Sequence, residues 1–188
     1  NSLDEYIIRD MLTQGACVDS FGVGERMITS SSNPVFGGVY KLSAVENTDG
    51  TIVPKIKISE NVSKITTPGF KRLWRLYDKK TGKAMADVIT LDGEAIDDTR
   101  PYEIFDPDFI WKRKTLSDFH AVDIRQQLFS HGKRIGLPRG IKEIKMFCKQ
   151  QMDTLWDEVR RFENPHHYYV DLSQKLWDLK SRMISENS

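Results

Sequence analysis

Two strand-forming runs joined by a short polar turn place the strongest constraint on the fold of this chain. The runs are Phe70–Asp78 and Lys83–Leu91, and each mixes polar residues with aliphatic or aromatic ones. The five residues from Asp78 to Gly82 combine polar side chains with a glycine, as hairpin turns do. The segment therefore predicts an antiparallel β-hairpin at the centre of the sequence.

Further strand candidates surround this hairpin. In Ile52–Ser59, isoleucines alternate with lysines, which predicts one buried and one solvated face, and Pro54 favours a sheet edge or a strand start. The other candidates are Gly38–Val45 and a pair, Ala121–Phe129 and Arg134–Leu137, that flanks Ser130–Lys133. The middle of the chain is therefore predicted to be mainly antiparallel sheet.

The first residues carry a helix signal. Asn1 or Ser2 can cap the helix, and apolar residues then recur at helical spacing until Gly15, which suits the position just past a helix end. Ala16–Phe21 is predicted to be a short buried strand, which the glycines of Gly22–Gly24 interrupt. A helix, a strand and a glycine turn in this order are typical of one step of a parallel α/β array.

The tail is predicted to be helical. Apolar residues recur every three or four positions from Ile141 to Phe162, so we expect an amphipathic helix that ends before Asn164-Pro165. Asp171 with Gln174 resembles a capping box for a last helix. The apolar stripe of that helix is Leu172, Leu176, Leu179 and Met183.

Composition narrows the class of protein. The chain has 39% hydrophobic and 29% charged residues, enough for a core and a polar surface. Its net charge of +1 argues against nucleic acid or anionic lipid as a partner, and no apolar run is long enough to predict a membrane span. Cys17 and Cys148 match no metal-ligand spacing and are predicted to be buried, reduced thiols of a cytoplasmic protein.

The histidines and basic residues suggest no separate site. None of the four histidines has a Cys or His partner at metal spacing, so we expect surface or packing roles and no metal site. Basic residues between Lys71 and Lys80 interleave with Trp74 and Tyr77, which could indicate a nucleic-acid surface. Ordinary alternation on a half-exposed hairpin explains this pattern equally well. Trp156 and Trp177 are interpreted as core residues.

The strongest local signal for chemistry is the segment Asp19–Arg26. Its two glycines, Gly22 and Gly24, follow the predicted strand and allow successive backbone N–H groups to turn inward around an anion. At the end of a barrel strand such a loop commonly binds phosphate, although a plain tight turn has the same pattern. No Gly-Lys-Ser/Thr and no third glycine follow, so it is neither a Walker loop nor a dinucleotide fingerprint.

Several segments together resemble bacterial nicotinate phosphoribosyltransferase, and the similarity runs over nearly the whole chain. They are residues 1–8, 19–24, 37–42, 57–61, 67–71 and 164–173, the last with the sequence Asn-Pro-His-His-Tyr-Tyr-Val-Asp-Leu-Ser. The resemblance implies that nicotinate and phosphoribosyl pyrophosphate (PRPP) give nicotinate mononucleotide and pyrophosphate, coupled to ATP hydrolysis with Mg²⁺, as the entry step of NAD salvage. It also implies an irregular α/β barrel of the quinolinate phosphoribosyltransferase kind, packed against a sheet domain, in a homodimer.

The resemblance also implies a phosphate site made of two loops. The first is the family's Ser-Asn-Asp/Asn loop, of which Asn1 and Ser2 remain, with Ser2 in place of the usual Asp or Asn. The second is Gly22-Val23-Gly24-Glu25, in which Glu25 replaces a common Thr. Because a carboxylate beside a phosphate is unfavourable, we expect the backbone of Gly24 and Glu25 to bind the 5′-phosphate rather than the Glu25 side chain.

The resemblance implies three regions. Residues 1–30 would be the last part of the barrel with the phosphate loop, residues 31–137 mainly antiparallel sheet, and residues 138–188 the C-terminal helices. The family's phosphorylated histidine and base-binding residues would lie before Asn1. We therefore expect a C-terminal fragment without catalytic residues, inactive alone. Two alternatives stay open: a related enzyme for another base such as nicotinamide, and a non-catalytic sheet module that binds nucleic acid or protein.

Overall fold

The computed structural model of the protein describes residues 2–35, 37–136 and 138–187. Over these residues it is a mixed α/β structure with several separate sheets, which confirms the predicted mixture of helices and sheets, while the barrel stays a prediction. The chain divides into two compact units, Asn1–Lys41 and Leu42–Ser188. The three regions implied by the resemblance stay a prediction.

The first unit contains two helices, α1 (Glu5–Thr13) and α2 (Glu25–Ile28). The Asp4 carboxylate caps α1 by accepting a hydrogen bond from the Ile7 amide at 2.9 Å. The prediction that Ser2 caps this helix was wrong. A cap residue has an extended backbone and lies three residues before the amide that it binds, and Asp4 meets both conditions. Asn1, the other predicted cap, lies outside the described residues. Gly15 has a φ of 82° just past the helix end, as predicted.

The segment Ala16–Phe21 is not a strand, so that prediction was wrong. A strand needs a hydrogen-bonded neighbour, and the described residues of the first unit contain no strand with which it could pair. The segment runs as irregular chain from α1 to α2, and Val18 is 40% exposed.

The second unit holds ten short strands, two helices and one turn of 3₁₀ helix at Val62–Lys64 among its described residues. The strands are β1 (Ala44–Glu46), β2 (Ile52–Pro54), β3 (Lys71–Asp78), β4 (Ala84–Leu91), β5 (Tyr102–Phe105), β6 (Arg113–Leu116), β7 (Phe119–Asp123), β8 (Phe129–Ser130), β9 (Lys133–Arg134) and β10 (Val170–Leu172). The helices are α3 (Ile141–Asp153) and α4 (Gln174–Ser185).

The main sheet has the strand order β10-β4-β3-β7, with the predicted hairpin β3–β4 at its centre. One oxygen of Asp78 accepts hydrogen bonds from the amides of Lys80 and Thr81, and Gly82 has a φ of 68°, so the turn is built by the residues that predicted it. β7 pairs with β3 antiparallel, whereas β10 pairs with β4 in parallel. The sheet therefore joins the hairpin to a segment from the tail.

The core lies on the hairpin and the strands that follow it. Its buried members are Leu76, Ala86, Val88, Ile96, Ile104, Leu116 and Phe119, with Trp74, Met85, Tyr102 and Ala121 partly buried against them. Burying a side chain of Leu, Ile or Phe stabilises a fold by roughly 1.5–3 kcal/mol. The second unit therefore has a core of its own.

The other predicted strands are shorter than expected. β1 begins only at Ala44 and β2 ends at Pro54, although the Lys55 amide still donates to the Ser43 carbonyl oxygen at 2.8 Å. Beyond it Ile56 and Ile58 are half-buried, while Lys55 and Lys57 are exposed, so the alternation persists without a strand. The predicted strand pair around Ser130–Lys133 is a minimal hairpin, β8–β9; Leu137 lies outside the described residues.

The tail helices differ from the prediction at their ends. α3 stops at Asp153 because Lys83 Nζ binds the carbonyl oxygens of Asp153 and Leu155, at 2.8 and 3.0 Å, and the Ala84 amide binds that of Thr154. Ser173, not Asp171, caps α4: its hydroxyl accepts from the Leu176 amide, while Asp171 belongs to β10.

Both cysteines and one of the two tail tryptophans are more exposed than predicted. Cys17 and Cys148 are free but exposed, so the prediction of burial was wrong. Trp156 is 40% exposed and is not a core residue, whereas Trp177 is half-buried. In the described part of the chain, no helix combines the length and hydropathy that crossing a membrane requires.

Replacing Gly69 by alanine is expected to destabilise the protein by roughly 1–3 kcal/mol. Gly69 has a φ of 93°, and an added Cβ would come within 2.7 Å of Leu91 Cδ2. Urea unfolding measures the effect, with Gly93→Ala as the control, since a Cβ at Gly93 meets nothing within 4 Å. Equal stability of the two variants would contradict the expectation.

Candidate functional site

The predicted phosphate loop lies between α1 and α2 in the first unit. Gly24 is the residue before α2 and makes no side-chain cap. The amides of Gly24 and Glu25 donate to no acceptor among residues 2–35, 37–136 and 138–187. Gly22 and Gly24 are exposed and Val23 is half-buried, so the loop backbone faces solvent while its one aliphatic side chain packs inward. Exposed amides without partners can donate to an anion.

The structure brings Ser2 next to this loop. The Ser2 hydroxyl donates to Glu25 Oε1 at 3.1 Å, and Asp4 Oδ2 lies 3.5 Å from Arg26 Nη1. The start of the chain and the glycine loop, which are 23 residues apart at Ser2 and Glu25, are therefore joined by two polar contacts. Asn1, the remaining predicted site residue, lies outside the described residues.

These contacts define the electrostatics of the loop. The Glu25 carboxylate is held at Ser2 and repels any anion that approaches it, while the guanidinium of Arg26 already has a carboxylate partner in Asp4. The backbone amides are thus the donors that this loop offers to a phosphate.

The histidines form no metal or catalytic cluster in the described residues. His120 Nδ1 lies 2.7 Å from Asp98 Oδ2, and this hydrogen bond lowers the pKa of the Asp98 carboxyl. His131 lies in a turn and His166 and His167 are exposed. Across the described part of the chain, no group of three or more His, Cys, Asp or Glu side chains could hold a metal ion.

Sequence reasoning missed a large cavity in the second unit. It measures about 980 Å³ and lies between residues 106–114 and residues 156–171. Its walls include the aromatic side chains of Phe109, Trp156, Tyr168 and Tyr169. The sequence feature that could have indicated this cavity is the aromatic and histidine-rich run Pro165–Val170, which lies within one of the segments that carry the resemblance.

A polar network holds Tyr168, one of the lining residues, against the central hairpin. Both side-chain oxygens of Asp87 accept hydrogen bonds from Arg75 at 2.8 Å, and the Tyr168 hydroxyl donates to Asp87 Oδ1 at 2.9 Å. Burial, and then the negative charge of Asp87, raises the pKa of the Tyr168 phenol. The network attaches the tail to the central hairpin.

Asp171 is the unusual member of the cavity lining. It is 3% exposed, and burial followed by the neighbouring charge of Asp106 raises its pKa to about 6, while His167 acts in the opposite direction. Carboxyl groups that are buried in a cavity and shifted in this way are common at functional sites.

Comparisons with known proteins agree on one family. The family model described as "Nicotinate phosphoribosyltransferase C-terminal domain" matches residues 70–180. The nicotinate phosphoribosyltransferase of Bacillus subtilis is 35% identical over 186 residues, which cover 99% of this chain and 38% of that protein. Nicotinate phosphoribosyltransferase 2 of Arabidopsis thaliana is 31% identical, over 95% of this chain and 31% of that protein. The chain thus spans less than half the length of these relatives.

The crystal structure of human nicotinic acid phosphoribosyltransferase has a similar fold. It matches with a TM-score of 0.69 at 20% identity, over 98% of this chain and 32% of that chain. At this identity the match supports only the fold. The family assignment rests on the family model and on the Bacillus subtilis relative. The chain belongs to the nicotinate phosphoribosyltransferase family.

Proposed function

We propose that this chain is the C-terminal part of an enzyme that joins nicotinate to PRPP, giving nicotinate mononucleotide and pyrophosphate in NAD salvage. The observation that carries the proposal is the match to relatives of that name over 99% of this chain but 38% of the Bacillus protein. The family model, which describes a C-terminal domain, supports the placement. The missing length would contain the histidine and the base-binding residues.

The contribution of this chain would be to hold the 5′-phosphate of PRPP and of the product. The amides of Gly24 and Glu25 supply the donors, next to Ser2, with Asn1, Gly22 and Val23 completing the two loops. Phosphoribosyl transfer passes through an oxocarbenium-like centre, so it depends on positioning and charge stabilisation. A phosphate anchored at one end of the substrate supplies positioning, whereas the chemistry at the ribose needs groups from elsewhere in the enzyme.

ATP and Mg²⁺ would serve the complete enzyme, and their sites would lie mostly outside this chain. Mg²⁺ is usually held by one or two carboxylates together with substrate phosphates. Glu25 carries a carboxylate within the proposed phosphate loop, and that carboxylate accepts a hydrogen bond from Ser2. We therefore assign no residue of this chain to the ion or to ATP.

The same proposal implies a fold, a cellular location and an oligomeric state for the complete enzyme. Residues 1–30 would be the last part of an irregular α/β barrel, and the enzyme would be a cytoplasmic homodimer. A nucleic-acid-binding module is the weaker alternative, because Arg72 and Arg75 on the hairpin pair with Asp92 and Asp87 and the chain carries a net charge of only +1.

The test is an assay of nicotinate mononucleotide formation from PRPP with ATP and Mg²⁺. We expect turnover by the complete polypeptide and none by the 188-residue chain alone. Nicotinamide replaces nicotinate in a parallel reaction, and we expect nicotinate to be preferred. Turnover by the purified chain would contradict its role as one part of the site, and a preference for nicotinamide would favour the alternative base.

A further inference from the structure

We propose that the cavity between residues 106–114 and 156–171 binds a small organic cation, a protonated amine or amidine on a flat apolar body, with its charge against Asp171. The proposal goes beyond phosphoribosyl transfer and concerns a ligand that the reaction does not supply.

The Asp171 carboxylate is buried without a partner. The residue is 3% exposed, and no hydrogen bond or ion pair reaches its side chain from the described residues. In the same residues, every fully enclosed side-chain nitrogen or oxygen has a hydrogen-bond partner, so the small accessible area of Asp171 includes carboxylate oxygen at the cavity wall. Burial, followed by the charge of Asp106, raises the pKa of the Asp171 carboxyl to about 6, while His167 lowers it. A buried, unpaired charge is costly, and a cation in the cavity would offset that cost.

The charges of the side chains that line the cavity indicate which sign of charge a ligand should carry. Carboxylates of Asp106, Asp108, Glu158 and Asp171 line the cavity, together with the basic side chains of Lys112, Lys114, His166 and His167. Neither lysine pairs with Asp171, because their ammonium groups lie over aromatic rings, 4.0 Å from the centre of Phe109 and 5.9 Å from that of Tyr169. Nicotinate and PRPP are anions and suit this lining poorly. A metal ion is also a poor fit, since no group of three or more ligating side chains is found among the described residues.

The aromatic walls select the shape of the ligand. Phe109, Trp156 and Tyr169 are 45%, 40% and 46% exposed, although large aromatic side chains are usually more buried. Two of these rings already have a lysine ammonium within cation–π distance, so the walls suit organic cations. The volume of about 980 Å³ is that of a small-molecule site. A flat body stacked on these rings would bring its charged end to Asp171.

Calorimetric titration of the 188-residue chain with benzamidine tests the proposal. Benzamidine has a flat ring and an amidinium; benzamide has the same shape without the charge, and benzoate has the opposite charge. We expect saturable binding of benzamidine, binding of benzamide about tenfold weaker, and no binding of benzoate. Equal binding of benzamidine and benzamide, or no saturation by benzamidine, would overturn the proposal. Tighter binding of N-acetylargininamide would overturn the assignment to a small aryl cation, since a basic side chain would then be the better occupant.

The variant Asp171→Asn keeps the size of the side chain and removes its charge. We expect benzamidine to bind about tenfold more weakly and the melting temperature to stay or rise, because a costly buried charge is gone. Asp178→Asn is the matched control: this aspartate accepts a hydrogen bond from Gln174 on α4 and is not part of the cavity lining, so binding should not change. Tyr169→Ala removes an exposed ring and should weaken binding several-fold while the chain still folds. Wild-type affinity in both Asp171→Asn and Tyr169→Ala, or an equal loss in Asp178→Asn, would overturn the proposal.

Discussion

Replacing Arg75 by methionine is expected to destabilise the protein by about 3 kcal/mol, which lowers the folding equilibrium constant about 100-fold. The change leaves the Asp87 carboxylate with the Tyr168 hydroxyl as its remaining hydrogen-bond donor from a side chain. Urea unfolding followed by tryptophan fluorescence gives the free energy of unfolding of each variant.

The size of this effect follows from burial and geometry. Arg75 binds both oxygens of Asp87 at 2.8 Å, and the two side chains are only 17% and 8% exposed. The hydrogen bonds that Arg75 donates to Asp87 hold the pKa of the Arg75 guanidinium above its usual range, so Arg75 stays charged at any ordinary pH. Breaking a buried pair by removing one partner costs several kcal/mol, because the other charge is left without compensation.

Two controls separate this account from general damage to the sheet. The double variant Arg75→Met/Asp87→Leu should recover part of the lost stability, since no buried charge is then left unpaired. Arg100→Met removes a cation that pairs with Asp97 at the surface, where its side chain is 76% exposed, and should leave the unfolding curve unchanged. If Arg75→Met and Arg100→Met had the same small effect, the buried network would not stabilise the fold.

The central hairpin could be predicted because its signals are local. The turn residues from Asp78 to Gly82 specify their own hydrogen bonds, and the flanking runs match β3 and β4 within one residue at each end. The last helix was predicted for the same reason: Leu176 is buried on the predicted apolar stripe, although Leu172, the first predicted member of that stripe, lies in β10. In each case the pattern that predicts the element lies within that element.

Elements that depend on distant partners could not be predicted. β10 is a strand because it pairs with β4, which places Asp171 opposite Val88 although the two are far apart in the sequence. α3 ends at Asp153 because Lys83, the residue before β4, binds the carbonyls at its C-terminal end. The helical spacing of apolar residues continues past this point, so the sequence alone predicts a longer helix.

The candidate sites also contain parts that local sequence patterns predict and parts that depend on distant residues. The glycine loop could be located from the sequence, because its glycines and the resemblance both point to Gly22–Gly24, but the strand predicted before it does not form. The contact between Ser2 and Glu25 depends on the path of the chain between them. The cavity at Asp171 is assembled from two segments about 50 residues apart, and such assembly leaves no local pattern.

Replacing Gly24 by valine in the complete enzyme is expected to weaken binding of PRPP and of nicotinate mononucleotide by roughly 100-fold. The Gly24 and Glu25 amides would otherwise donate to the 5′-phosphate, and losing two hydrogen bonds to a charged group costs roughly 3 kcal/mol. A Cβ at Gly24 meets nothing within 4 Å in this chain, so the variant should fold normally, and the loss arises where the branched side chain obstructs the phosphate.

Calorimetry with each ligand measures this effect, and circular dichroism checks the fold. ATP binding should change less than PRPP binding, because the loop is assigned to the 5′-phosphate and not to ATP. Gly93→Val is the matched control: it adds the same side chain at a glycine of the second unit that also has nothing within 4 Å, and it should leave all three affinities unchanged. A folded Gly24→Val enzyme that binds both phosphorylated ligands as tightly as the wild type would eliminate the loop as the phosphate site, because the obstruction lies at the amides that would have to donate.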